Sequence, residues 1–202
     1  MHNGAAALPE SALAAALGSR SVVLVGMPGA GKSSIGRRLA TRLAMPFVDA
    51  DAEIEKAAGM SIPEIFASQG EPYFRAGEAR VIARLLDGGP QVLATGGGAF
   101  MNAETREAIR SKALSVWLRA TFEVLSRRIK RRNDRPLLKT ENPAETLTRL
   151  LAERDPIYAE ADIIVESREV PHETIVEEII AGLCAQAGLV RAAKPDVGDV
   201  QR

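Results

Sequence analysis

The sequence predicts an α/β fold, a parallel sheet covered by helices on both faces, and three observations carry that expectation. Apolar strand-like runs alternate with helical periodicity along most of the chain. The run Val22-Val23-Leu24-Val25 leads straight into Gly26-Met27-Pro28-Gly29-Ala30-Gly31-Lys32-Ser33, a complete Walker A phosphate loop. Behind it, Ile35, Leu39 and Leu43 are spaced four apart, as on one face of a helix. Strand, glycine-rich loop and helix in that order are the context a phosphate loop requires.

Taken in order, the strands fall at 21–25, 46–49, 91–95, 114–118 and 162–166. Helical patterns fall at 32–44, 51–58, 61–69, 73–87, 103–111, 121–132, 144–160 and 172–188. A helix start near 61 is well marked. Ser61 and Glu64 stand in capping-box spacing, and Pro63 sits early in the same helix. Three helical pieces between the second and third strands read as an inserted subdomain, about 50–80. Residues 130–143 form a polar, arginine-rich connection between helices that suits a mobile lid. The expected division is one domain over 20–188, with loosely ordered extensions at 1–19 and 189–202.

Composition narrows the function. Of 202 residues, 46% are hydrophobic and 26% charged, ordinary values for a globular protein with a substantial core. The 26 basic residues balance 26 acidic ones, so no global field favours nucleic acid or an anionic membrane. Cys184 is the single cysteine, which rules out a disulfide within the chain, favours a reducing compartment, and is expected to be buried among Ile179, Ile180 and Leu183. Residues 1–19 lack a basic start and are interrupted by Pro9 and Glu10, a poor signal peptide and too short for a membrane span. The expectation is a cytoplasmic protein, monomeric, with neither nucleic acid nor membrane as partner.

The phosphate loop sets the chemistry. Its glycines let the backbone curl until several N–H groups face one anion, and the following helix adds the positive end of its dipole. Lys32 can reach the β- and γ-phosphates, and the Ser33 hydroxyl can ligate Mg²⁺. The second strand ends Phe47-Val48-Asp49-Ala50-Asp51. Residues i and i+2 of a strand share a side, so both carboxylates are expected at the carboxyl edge, where the loop opens. One could hold the hydration shell of Mg²⁺ and the other accept a proton from an attacking hydroxyl; the bland reading is two aspartates capping the next helix. Arg75, Arg135 and Arg154 stand where helix-face pairing does not obviously explain them, and guanidinium groups near a phosphate site suggest an anionic second substrate. The basic run Arg127, Arg128, Lys130, Arg131, Arg132 and Arg135 fits a charged lid better than a nucleic-acid patch, given zero net charge and no interleaved aromatics. Gly96-Gly97-Gly98, directly after the third strand, would let the backbone approach a ligand and offer bare N–H groups to it.

Six motifs then occur in one order. They are Gly-x-Pro-Gly-Ala-Gly-Lys-Ser, Phe-x-Asp-x-Asp, Phe-Arg-x-x-Glu (Phe74, Arg75, Glu78), Gly-Gly-Gly, Arg-Pro-Leu-Leu (135–138) and Arg-x-Pro-x-Tyr (Arg154, Pro156, Tyr158). The set resembles the shikimate kinases over about 20–188. That resemblance implies a phosphate-loop NTPase of the nucleoside-monophosphate-kinase-like fold, with a five-stranded parallel sheet in the order 2-3-1-4-5. It also implies transfer of the ATP γ-phosphoryl group to the 3-hydroxyl of shikimate, on the route through chorismate to aromatic amino acids.

By the same resemblance, Gly29, Ala30, Gly31, Lys32, Ser33 and Ser34 would wrap the ATP phosphates. Ser33 would ligate Mg²⁺ and Asp49 would reach it through water. Asp51 would bind the shikimate hydroxyls and serve as general base, while Arg75 and Arg154 clamp the carboxylate and Gly97 meets a ring hydroxyl. Glu78 would orient Arg75, Arg135 would neutralise charge on the transferring group, and Arg128 would lie against the adenine. Lys32, Asp51 and Arg135 are the expected catalytic trio. The alternatives are another small-molecule kinase on this fold, for gluconate or a nucleoside monophosphate, and a non-catalytic nucleotide-binding module.

Overall fold

The computed structural model describes residues 10–130 and 142–189. Five strands, β1 (Ser21–Val25), β2 (Phe47–Asp49), β3 (Val92–Ala94), β4 (Ala113–Arg119) and β5 (Ile163–Glu166), form one sheet in the order β2-β3-β1-β4-β5. Every pair is parallel. This is the order expected from the resemblance. β1 lies at the centre, with Val22 opposite Val92 on one side and Leu114 on the other. All five of its residues are buried, which is why it reads as a continuous apolar run rather than an alternating one.

Helices α2 (Lys32–Arg42), α3 (Ala50–Ala58), α4 (Ile62–Asp87), α5 (Ala103–Lys112), α6 (Phe122–Lys130), α7 (Pro143–Tyr158) and α8 (His172–Gln186) surround this sheet. A short 3₁₀ turn, Ala99–Met101, follows the glycine triplet. The chain leaves β1 toward β2 on one side, and leaves β3 toward β4 on the other. Connections therefore diverge between β1 and β3, and a crevice opens at their carboxyl ends. The phosphate loop and the glycine triplet are the two loops at that crevice.

Three expectations change. Residues 1–19 were expected to be loosely ordered, but α1 (Glu10–Leu17) is a helix whose Leu13 and Leu17 are buried in the main core. Burying each leucine contributes about 1.5–3 kcal/mol, enough to hold a two-turn helix down. The helices expected at 61–69 and 73–87 are the two arms of α4, which breaks at Gly70 (φ 82°, ψ 169°). Pro72, two residues on, has no N–H to give and its ring crowds the preceding turn, so the break belongs there. Cys184 is half-buried rather than enclosed.

Helices α3 and α4 carry a separate apolar cluster, Ile54, Ile65 and Phe74, with the Phe66 and Phe74 rings 4.7 Å apart. Residues 131–141 of the segment expected as a lid (130–143), including Arg135, and the ends 1–9 and 190–202 lie outside the described residues. Among the described residues, no helix is long and apolar enough to cross a membrane.

Candidate active site

The phosphate loop closes on Gly31, whose φ of 97° caps α2 in a conformation that side-chain-bearing residues rarely adopt. No side chain caps this helix, so its first turn is left to an external anion. Lys32 is 8% exposed, and its Nζ donates to the carbonyls of Gly26 (2.7 Å) and Met27 (3.1 Å). Its charge is thus held inside the loop's curl. Ser33 Oγ donates to Asp49 Oδ2 at 2.7 Å, which joins the end of β2 to the start of α2.

Asp49 caps the next helix, as the bland reading expected, and also meets Ser33. Its Oδ2 meets Ser33 while its Oδ1 caps α3 by accepting the Asp51 N–H at 3.2 Å. Strand alternation, however, does not reach Asp51. β2 ends at Asp49, and Asp51 is an exposed residue in the first turn of α3. It still stands at the carboxyl edge, because the helix begins there.

The glycine triplet gathers the remaining groups. A Cβ on Gly96 would come within 2.9 Å of Asp51 Oδ1 and 2.7 Å of Glu78 Oε1. One on Gly97 would strike the Pro28 ring at 2.5 Å, and one on Gly98 the Arg75 guanidinium at 2.6 Å. The Gly97 carbonyl accepts Arg154 Nη1 at 3.0 Å and the Tyr158 hydroxyl. Asp51, Arg75 and Arg154, far apart in sequence, therefore converge on consecutive glycines, and the phosphate loop touches the same triplet through Pro28.

Arg75 has two helix-face partners, Glu78, which the family resemblance implied, and Glu71, which it did not. Its Nη1 donates to Glu78 Oε2 at 2.7 Å and its Nη2 to Glu71 Oε1 at 3.1 Å. Glu78 is buried, and its other oxygen, Oε1, has no hydrogen-bond partner among the described residues. Burial pushes the Glu78 carboxyl above the usual carboxylate range, with the Arg75 charge pulling the other way. That orphan oxygen faces the Gly96 side of the site.

Arg128 braces the outside of the loop. It donates to the carbonyls of Gly29 (3.3 Å) and Ala30 (3.4 Å), to Ser167 Oγ (2.8 Å) and to the Arg168 carbonyl (3.0 Å). Ala30 is enclosed, and half-buried Ser34 uses its carbonyl to accept Arg38 Nη1 at 2.9 Å. Two supports had no assigned role from sequence. Ser167 Oγ donates to the Ala30 carbonyl at 2.7 Å across 137 residues, and Tyr158 reaches Gly97 across 61. Nothing local announces Ser167. Tyr158 was visible only as the last letter of a motif.

A protein-family model described as shikimate kinase matches residues 28–184. The chain belongs to the shikimate kinase family. A shikimate kinase from Rhodopseudomonas palustris is 66% identical over 174 residues, 86% of this chain and 86% of that one. The structure of a shikimate kinase from Acinetobacter baumannii in complex with shikimate superposes with a TM-score of 0.81 at 37% identity, covering 86% of this chain and 98% of that one. A gluconokinase from Sinorhizobium meliloti reaches a TM-score of 0.55 at 23% identity, covering 84% of this chain and 94% of that one. That last likeness extends to the fold alone. Family membership makes this chain an ATP-dependent kinase, so the reading as a non-catalytic module falls.

Proposed function

We propose that the protein transfers the γ-phosphoryl group of ATP to the 3-hydroxyl of shikimate, giving shikimate 3-phosphate and ADP. One observation carries the choice of acceptor: Asp51, Arg75 and Arg154 meet on the glycine triplet directly against the phosphate loop. Two guanidinium groups suit a carboxylate, and a carboxylate beside bare backbone N–H groups suits hydroxyls. A nucleoside monophosphate would not need this trio.

In this reading the loop backbone from Gly29 to Ser34, with Lys32, holds the β- and γ-phosphates. The Ser33 and Asp49 oxygens fit a magnesium ion bound mainly by phosphate oxygens and water. Among the described residues, no group of three or more His, Cys, Asp or Glu forms a cage of its own. Ser33 would hold the ion directly and Asp49 through water; bound there, Mg²⁺ would screen charge on the phosphates. Asp51 orients the 3-hydroxyl and accepts its proton as the oxygen bonds to phosphorus. Arg75 and Arg154 clamp the carboxylate, so the ring cannot turn and the hydroxyl stays in line. The Gly97 backbone meets a ring hydroxyl, Arg128 lies at the adenine end, and Arg135 neutralises charge on the transferring group. Water, a competing acceptor, is excluded when the site closes. The proposed setting is the cytoplasm and the working unit a single chain.

The test is ADP release with Mg·ATP and shikimate, gluconate, AMP, CMP or no acceptor. Release that depends on shikimate alone is expected. Turnover with another acceptor would overturn the arginine clamp, and no acceptor-dependent release would overturn the activity.

A further inference from the structure

Among the described residues Tyr158 is the largest side chain that the fold buries completely. A buried phenol carries a polar tip that needs a partner, and here the partner is the acceptor-site loop. Tyr158 and Arg154 stand one helical turn apart on α7, so they share a face. The Tyr158 hydroxyl donates to the Gly97 carbonyl, and Arg154 Nη1 donates to the same oxygen at 3.0 Å. The ring cannot shift easily. It stacks on Trp117 with centroids 5.7 Å apart and on Phe100 at 6.3 Å.

The Gly97 carbonyl belongs to the rigid peptide plane that joins it to Gly98. Whatever holds that oxygen also sets the direction of the Gly98 N–H. Among the described residues, neither the Gly97 nor the Gly98 N–H has a hydrogen-bond partner, so both remain available to a ligand. The loop is tight on its other side too, against Pro28 and the Arg75 guanidinium.

We propose that Tyr158 is a positioning residue for the acceptor site, holding the Gly97–Gly98 peptide and Arg154 in one arrangement through its hydroxyl. The proposal rests on the shikimate reading above. Its physical basis is a conflict over Arg154. A guanidinium that turns toward a ligand carboxylate weakens its bond to Gly97, and without Tyr158 that carbonyl would be left without a donor. With Tyr158 in place the loop stays set while Arg154 shares its donors with the ligand. Burial pushes the phenol up to about 12, so it remains a donor at neutral pH.

Tyr158→Phe keeps the ring stacks and removes one oxygen. The expected result is a rise of about tenfold in the KM for shikimate, the worth of about one hydrogen bond, with the KM for Mg·ATP within about twofold of wild type. An unchanged shikimate KM, or an equal rise in both constants, would overturn the positioning role. Wild type runs alongside: if it shows no shikimate-dependent ADP release, the failure lies in the shikimate reading itself. A readout that needs no variant is Trp117, the chain's single tryptophan. Shikimate should change its emission saturably and gluconate should not. Flat emission at saturating shikimate would overturn the coupling.

Discussion

The phosphate loop and the proposed acceptor site meet where Pro28 packs against Gly97, yet the two sides are made of different materials. The nucleotide side is backbone: a helix start without a side-chain cap, a curl of glycines, and one lysine folded into carbonyls. It sits on β1, the most enclosed strand of the sheet. The side proposed for the acceptor is side chains: Asp51 from α3, Arg75 and Glu78 from α4, Arg154 and Tyr158 from α7, around a loop from β3. Backbone donors cannot be exchanged by substitution, whereas carboxylates and guanidinium groups can. The contrast teaches where a fold keeps its generic chemistry and where it sets its specificity.

That division can be broken by experiment. Lys32→Ala should cost the most, about a thousandfold in kcat/KM, because a buried charge near the transferring group is lost. Steady-state kinetics would measure it, and near-normal transfer would remove the lysine from the chemistry. Asp51→Asn should lower kcat by about a hundredfold while the Kd for Mg·ATP, measured by calorimetry, stays within about twofold. Equal damage to both would mean that Asp51 serves the nucleotide side as well. Arg154→Ala should mainly raise the shikimate KM, by about thirtyfold, the worth of a charge-assisted hydrogen bond. A change confined to the ATP KM would invert the assignment.

Glu78→Gln should give the smallest effect and the most instructive one. Burial raises the Glu78 carboxyl in the folded state, so its stabilising contribution is present at low pH and lost as pH rises through the folded value. The variant does not titrate there. Its Tm relative to wild type should therefore improve as pH rises above the ordinary carboxylate range, even as its shikimate KM rises several-fold because Arg75 loses an anchor. A Tm difference independent of pH would show that Glu78 carries no such strain.

The same contrast explains what the sequence made legible. β1 matches its expected bounds residue for residue, because a strand buried on both faces and a phosphate loop leave continuous, local signals. Asp51 was placed by strand alternation, but β2 stops two residues earlier, since Asp49 caps a helix that starts immediately. The Glu71 partner of Arg75 was missed because the helix was expected to start at 73, whereas α4 runs on through Glu71 and sets it one turn before Arg75. α1 gave little signal. Two leucines four residues apart in an alanine-rich stretch say nothing about the core that receives them. Ser167 and Tyr158 act across long sequence separations, which no local pattern encodes.

The most direct test of the acceptor assignment is a competition in one vessel, with equal concentrations of shikimate and gluconate supplied with limiting Mg·ATP. Mass spectrometry of the products would read the choice. The side chains gathered on the glycine triplet predict phosphorylated shikimate in large excess, matched mole for mole by ADP. Comparable phosphorylation of gluconate would contradict the claim that Asp51, Arg75 and Arg154 together select the acceptor.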